Sequence, residues 1–264
     1  MDLDIAGKRA LVSGSTAGIG FAIGSALAAE GVHVTINGRT APRVDAAVAA
    51  LRHRHPAASI DGLAADLATA DGVDAARRAV PELDILVNNL GIFEPRPFLE
   101  ITDDDWRRFF EVNVLSGVRL VRAYLPGMLA RDWGRVVFVS SESGLQIPTE
   151  MIHYGMTKTA QLAISRGLAE SVAGTRVTVN TVLPGPTASE GVGTFVDDLA
   201  RAQGKDRATV EREFFRDVRP SSLIRRFETP DEVASMVAYV CSARASATTG
   251  AALRVDGGVL RSIA

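Results

Sequence analysis

Arg9-Ala10-Leu11-Val12-Ser13-Gly14-Ser15-Thr16-Ala17-Gly18-Ile19-Gly20 is the stretch that decides the architecture. Arg9 to Ser13 reads as a short apolar strand. A glycine-rich turn follows, and then Ile19, Ala22, Ile23, Ala26 and Leu27 recur at helical spacing until Gly31, a helix stop. Strand, turn and helix together make a cradle for a pyrophosphate. The glycines let the backbone approach an anion, and the helix start offers free N–H groups and the positive end of its dipole. A plain tight βα turn has the same signature, so the rest of the chain decides between the two.

Val32 to Asn37 reads as a second strand, ending in Gly38-Arg39-Thr40. An acid at this place would hold the ribose 2′-OH of NAD. Gly38 offers none, and Arg39 suits a 2′-phosphate; a solvated turn arginine is the alternative. A polar helix from Ala41 to His53 precedes a third strand, Ile60 to Ala65, which ends at Asp66, a candidate partner for an adenine amino group. After an Ala-rich helix, Leu83 to Val87 reads as strand four. It runs into Asn88-Asn89-Leu90-Gly91, a sequence able to turn sharply and line a crevice at the strand's carboxyl end. Strands and helices alternating at this size specify a parallel sheet with helices on both faces.

Thr102-Asp103-Asp104-Asp105 caps a long helix carrying Trp106, Phe109, Phe110, Val118 and Val121, with Pro126 expected to bend or interrupt it. Asn113 lies inside this apolar helix and needs partners. It is either a locally satisfied core amide or a relay group holding a water near Lys158.

Tyr154-Gly155-Met156-Thr157-Lys158 opens another apolar-periodic helix. Residues four apart share a helix face, which places the Lys158 ammonium beside the Tyr154 phenol. A cation roughly 5 Å away at an effective dielectric near 20 favours the phenolate by about 3 kcal/mol. That is on the order of two pKa units, and brings a phenol toward working pH. Ser141 ends the strand-like run Val136 to Ser140 and can meet the start of the Tyr154 helix after one loop. Ser141, Tyr154 and Lys158 then form a hydroxyl donor, a proton-transfer group and its tuner.

Arg176 to Val182 reads as strand six, leading to Leu183-Pro184-Gly185-Pro186-Thr187. Ser189 to Ser222 carries two short amphipathic segments, Val196–Ala202 and Thr209–Val218, and has the character of a lid. Thr229-Pro230-Asp231-Glu232 starts a helix that continues to Cys241, and Ala251 to Val255 is a last strand.

The chain has 264 residues, 47% apolar and 23% charged, with no linker or charge block to divide it, so one domain with a large core is expected. A net charge of −2 makes no case for nucleic acid or an anionic membrane. The single Cys241 excludes an intrachain disulfide and reads as a core thiol. The acidic start Met1-Asp2-Leu3-Asp4 has no apolar signal region, and no run approaches the ~18 apolar residues of a membrane span. A cytoplasmic protein without a metal site is expected.

In order and spacing, Gly14-x-x-x-Gly18-x-Gly20, Asp66, Asn88-Asn89-x-Gly91, Asn113, Ser141, Tyr154-x-x-x-Lys158 and Pro184-Gly185 resemble the classical short-chain dehydrogenases/reductases over essentially the whole chain, in the manner of the 3-oxoacyl-[acyl-carrier-protein] reductases. The resemblance implies a single-domain, doubly wound Rossmann-type α/β fold, with a seven-stranded parallel sheet and a small lid at about 187–222. It implies a dinucleotide held by Gly14, Ser15, Thr16, Gly18, Ile19, Gly20, Gly38, Arg39, Thr40, Asp66, Leu67, Asn89, Gly91, Tyr154, Lys158, Pro184, Gly185 and Thr187. It further implies catalysis by Asn113, Ser141, Tyr154 and Lys158, and a homotetramer or, less often, a dimer.

Two departures stand out. Leu90 replaces the family's small alanine, and Glu142 follows Ser141, pointing either to solvent or at the substrate, where it would disfavour acidic substrates. His153 reads as a pocket-edge or interface residue.

The expected function is NADP(H)-dependent interconversion of a carbonyl and a secondary alcohol, with NAD(H) as the other cofactor. The pocket expected for a small apolar ketone or a 3-oxoacyl thioester is Ile92, Phe93, Leu145, Ile147, Pro148, Met151, Pro184 and Phe195. The alternatives are an NAD-dependent alcohol or sugar dehydrogenase, set apart by Arg39, and a non-catalytic nucleotide sensor, which should have lost Ser141, Tyr154 or Lys158.

Overall fold

The computed structural model describes residues 2–189, 193, 197, 200–201 and 204–263. Strands β1 (Arg9–Val12), β2 (His33–Gly38), β3 (Ile60–Ala64), β4 (Ile85–Asn88), β5 (Gly134–Val139), β6 (Val177–Pro184) and β7 (Ala252–Val255) form one sheet. Its order is β3-β2-β1-β4-β5-β6-β7, and every neighbouring pair is parallel. The expected Rossmann-type architecture is present, with boundaries shifted by a residue or two. Strands covered on both faces read as apolar runs rather than alternations, and every residue of β4, β5 and β6 is buried.

The helices are α1 (Gly18–Ala29), α2 (Ala41–Arg54), α3 (Ala70–Ala79), α4 (Asp103–Phe110), α5 (Ser116–Ala130), α6 (Ile152–Ser171), α7 (Arg207–Glu213) and α8 (Pro230–Cys241). They divide between the two sheet faces. Ile23 and Leu27 of α1, Leu51 of α2 and Val237 of α8 pack with Val137 and Val139 on one face. Val73 of α3 and Leu120 and Met128 of α5 pack with Val136 and Phe138 on the other. Successive side chains of β5 thus feed opposite cores, as the strand period requires. Among the described residues no helix is long and apolar enough to cross a membrane.

The chain builds outward from β1 to β2 and β3, then crosses back to β4 on the other side of β1. The connections diverge at that switch point and leave a crevice at the carboxyl ends of β1 and β4. Gly14-Ser15-Thr16-Ala17 and Asn89-Leu90-Gly91 lie there.

Two expectations change. Pro126 does not interrupt its helix; it lies inside α5. The break falls earlier, at a π turn over Glu111–Leu115 that carries Asn113, and such turns are often found at functional sites. The expected segment Thr209–Val218 is α7 running into a second π turn, Phe214–Val218. The other expected segment, Val196–Ala202, and the pocket residue Phe195 fall largely or wholly outside the described residues. Phe214, Phe215 and Phe227 pack at 5.1–5.2 Å between ring centres and hold α7 to the chain before α8.

Candidate active site

The crevice holds two cavities. The first, of about 430 Å³, is lined by Gly14, Thr16, Asn37, Gly38, Arg39, Thr40, Arg43, Asp66, Leu67 and Leu90, among others. The second, of about 740 Å³, reaches from Ile19, Asn89 and Gly91 past Ser141, Tyr154 and Lys158 to Pro184, Gly185 and Thr187. Most of the sequence-predicted residues are therefore brought together on either side of the glycine-rich turn.

That turn fits a dinucleotide. Gly14 and Gly18 take φ of +60° and +56°, where side chains are strained. A Cβ on Gly20 would lie 2.5 Å from the Gly14 oxygen and from Asn89 Nδ2, so only glycine lets the helix start so close. Gly18, Gly20 and Ser15 line neither cavity. Ser15 is buried, with its hydroxyl donating to the Val12 oxygen at 2.6 Å and accepting the Asn37 N–H at 2.9 Å. It pins the turn from behind. Asn89 Nδ2 donates to the oxygens of Ser13 and Gly14, and Asn37 Oδ1 accepts the Gly14 N–H at 3.0 Å. Leu90, at the family's alanine position, packs on Gly14 and keeps its N–H on Ser13 Oγ.

Sequence reasoning missed Asn37 and Arg43. Arg43 had a signal: a cation in the first turn of α2 opposes the helix dipole and asks for another reason to be there. Gly38 is sterically required as well, since its Cβ would come within 2.5 Å of Thr16 Cγ2.

On the reaction side, Ser141 follows β5 and Tyr154 and Lys158 share one face of α6. Lys158 is buried, and its ammonium donates to the Val139 oxygen at 3.0 Å and to Gln161 Oε1 at 3.3 Å. Burial lowers Lys158 to about 8. The expected lowering of Tyr154 is not what this geometry produces. Burial first, then the Glu142 charge, push the phenol well above its ordinary range, while Ser141 and Arg219 pull it down. The Lys158 ammonium lies 5.6 Å from the centre of the Tyr154 ring, but its bonds go to Val139 and Gln161 and not to the phenol.

Asn113 does not face the cavity. Its side chain clamps Ile92, accepting the N–H at 2.8 Å and donating to the oxygen at 3.0 Å, and also donates to Thr157 Oγ1 at 3.0 Å. Its main-chain oxygen accepts Gln161 Nε2 at 2.6 Å. The Gln161 side chain therefore links Asn113 to Lys158.

Glu142 does not point to solvent. It is buried, and Arg219 Nε donates to its Oε1 at 3.1 Å. Arg219 also faces Glu150 at 3.5 Å. Both glutamates, Arg219 and Asp217 line the second cavity with Phe93, Met151 and Phe227. The expected apolar pocket is thus half right: Ile92, Phe93, Met151 and Pro184 line it, while Leu145, Ile147 and Pro148 do not, and Leu145 and Ile147 are exposed. His153 is no pocket edge; it is buried against Phe109 at 4.0 Å between ring centres, and burial lowers its pKa.

The sequence pattern of the family described as short chain dehydrogenase matches residues 8–200. The uncharacterized oxidoreductase YvaG of Bacillus subtilis (strain 168) is 49% identical over 263 residues, covering 100% of both chains. The 3-oxoacyl-[acyl-carrier-protein] reductase FabG of Aquifex aeolicus (strain VF5) is 30% identical over 98% of this chain and 100% of its own. The crystal structure of L-sorbose reductase from Gluconobacter frateurii, complexed with NADPH and L-sorbose, matches with a TM-score of 0.94 at 32% identity over 100% of both chains. The chain belongs to the short-chain dehydrogenase/reductase family and is an oxidoreductase acting between CH–OH and C=O groups.

Proposed function

We propose that the protein uses NADPH to reduce a small, neutral, polyhydroxylated ketone to the secondary alcohol, and catalyses the reverse oxidation. The observation that carries this is the polar wall of Glu142, Glu150 and Arg219 in the cavity that holds Ser141 and Tyr154. An apolar chain laid against these charges would strip them of water without replacing its hydrogen bonds. Sugar hydroxyls donate to carboxylates and accept from a guanidinium. Three acids, Glu142, Glu150 and Asp217, outnumber the two cations Arg219 and Lys158 in this lining and disfavour an anionic substrate. The apolar part of the lining, where Phe93 stands edge-on to Tyr154 at 6.4 Å, suits the carbon face of such a molecule. L-sorbose reductase, similar along the whole chain, is a relative with a ketose as its substrate.

When bound, the nicotinamide supplies or accepts a hydride at the substrate carbon. Tyr154, held proton-bearing by its burial, delivers the proton to the developing alkoxide. Ser141 gives that oxygen a hydrogen bond, and Lys158 sets the charge beneath the phenol. Gly14, Thr16, Gly38, Arg39, Thr40, Asp66 and Leu67 would hold the adenosine end, and Ile19, Asn89, Gly91, Pro184, Gly185 and Thr187 the nicotinamide end.

A screen with NADPH and NADH against neutral ketoses, keto acids, apolar ketones and 3-oxoacyl thioesters tests the proposal. The neutral ketose is expected to lead the apolar ketone by about tenfold or more in kcat/KM, the worth of one or two hydrogen bonds to charged groups. Preference for an apolar ketone or a 3-oxoacyl thioester would overturn it.

A further inference from the structure

Ser141 has one hydroxyl proton, and its shortest contact is to a carboxylate oxygen, a group that accepts a hydrogen bond. Ser141 Oγ donates to Glu142 Oε2 at 2.5 Å. A proton engaged there is not available to a substrate oxygen. The same Oε2 also accepts the Ser143 N–H at 2.7 Å and the Ser143 hydroxyl at 2.9 Å. Its partner oxygen Oε1 takes Arg219 Nε at 3.1 Å. Glu142 is therefore fully served by Ser143 and Arg219 without Ser141, and its side chain is only 5% exposed. The Ser143 N–H also reaches Ser141 Oγ at 3.1 Å, so the serine oxygen stays in place when its hydrogen turns.

We propose that Glu142 is a positioning residue that parks the Ser141 hydroxyl proton and releases it to the substrate oxygen only as that oxygen gathers negative charge. A neutral carbonyl oxygen is a poorer acceptor than a carboxylate. Arg219 and Ser143 spread the carboxylate's charge, so a developing alkoxide outcompetes it. The exchange rotates one hydroxyl, moves no heavy atom and leaves no oxygen of Glu142 without a donor. A hydrogen bond that forms mainly in the transition state raises kcat rather than tightening substrate binding. Arg219 makes this affordable in a buried site, because a lone carboxylate there would hold Ser141 too firmly and cost stability.

The proposal rests on the carbonyl-reduction reading, and its first test needs no turnover. Proton NMR of the substrate-free protein should show a downfield, slowly exchanging hydroxyl signal that is lost in both Ser141→Ala and Glu142→Gln. Absence of that signal from the unmodified protein, or its persistence in Glu142→Gln, overturns the proposal whatever the substrate proves to be. The second test is a kinetic cycle with the carbonyl compound turned over best. Glu142→Gln should lower kcat about tenfold, one hydrogen bond's worth, without raising KM, and should add no further loss in a Ser141→Ala background. Losses that multiply, or a change confined to KM, would show that Glu142 does not act through Ser141. Should Glu142→Gln alone not fold, Glu142→Gln with Arg219→Gln removes both charges and carries the same readouts.

Discussion

Gln161 donates its amide N–H to the main-chain oxygen of Asn113 at 2.6 Å. Its own amide oxygen accepts the Lys158 ammonium at 3.3 Å. One buried side chain thus ties the reaction lysine to the π turn, where the looser turn geometry leaves a carbonyl available for it. An amide exchanges protons poorly, so this link holds Lys158 in position rather than passing protons along.

Replacing Gln161 by Leu keeps the volume and removes both bonds. The Lys158 ammonium then keeps only Val139, and the Asn113 oxygen loses its buried donor. We expect kcat to fall about tenfold with little change in KM, as for the loss of one hydrogen bond that positions a reacting group. Lys158→Ala should cost more and should also weaken cofactor binding. Steady-state kinetics with cofactor titrations separate the two, and an unchanged kcat in Gln161→Leu would show that Val139 alone suffices.

Tyr154→Phe removes the proton donor and keeps the ring that packs against Phe93. The expected loss is about 10²–10⁴ in kcat, with cofactor affinity nearly unchanged. Most of the reductase rate surviving in this variant would remove Tyr154 from the chemistry.

Arg39 and Arg43 line the first cavity beside Gly38 and Thr40. A charge-assisted contact to a 2′-phosphate is worth roughly 1.5–3 kcal/mol, so NADPH should be preferred over NADH by about ten- to a hundredfold in kcat/KM. Arg39→Ala should erase most of that preference and leave NADH kinetics alone. Equal efficiency with both cofactors in the unmodified protein would refute the assignment. Introducing an acid at position 38 is the poorer test, because its Cβ would collide with Thr16.

Glu228 is buried beside the loop after β6. Its Oε2 accepts the Gly185 N–H at 3.2 Å, and its Oε1 has no hydrogen-bond partner among the described residues. Burial raises its carboxyl to about 8, opposed by the Gly185 bond and reinforced by Asp256. A carboxyl whose folded value is raised keeps its proton longer when folded. Its stabilising contribution is whole below the ordinary carboxyl range and is lost as pH rises through about 8. Glu228→Gln should therefore gain melting temperature relative to the unmodified protein as pH rises from 5 to 9, on the order of a few degrees. Parallel Tm–pH curves for the two proteins would refute this.

Assembly is the remaining expectation. β7 is an edge of the sheet, and Phe110 and Leu129 of the α4–α5 region and Tyr239 of α8 are exposed. Exposed apolar surface next to an open strand edge favours burial against further copies of the chain. Sedimentation should find a homotetramer with two-fold axes; a stable monomer at micromolar concentration would count against it.

Local rules made most of this protein legible from its sequence. The strand, glycine turn and helix of Arg9 to Ala29 announce themselves through short-range period and backbone freedom. The Thr102 and Thr229 caps are visible as threonines followed three residues later by an acid, and both form capping boxes. Tyr154 and Lys158 share a helix face because of helical geometry alone, and Ser141 reaches them because the strand before it ends at the crevice. Tertiary structure decided what those residues experience. Arg219 finds Glu142 across 77 positions of chain, through a segment with no simple period to betray its path. Gln161 looks like an ordinary polar helix residue until the π turn packs over it. The direction of the Tyr154 shift also depended on burial and on Glu142, a balance that four-residue spacing cannot reveal. Periodicity and capping are set within a few residues along the chain, whereas desolvation and ion pairing are set by whatever distant segment arrives alongside.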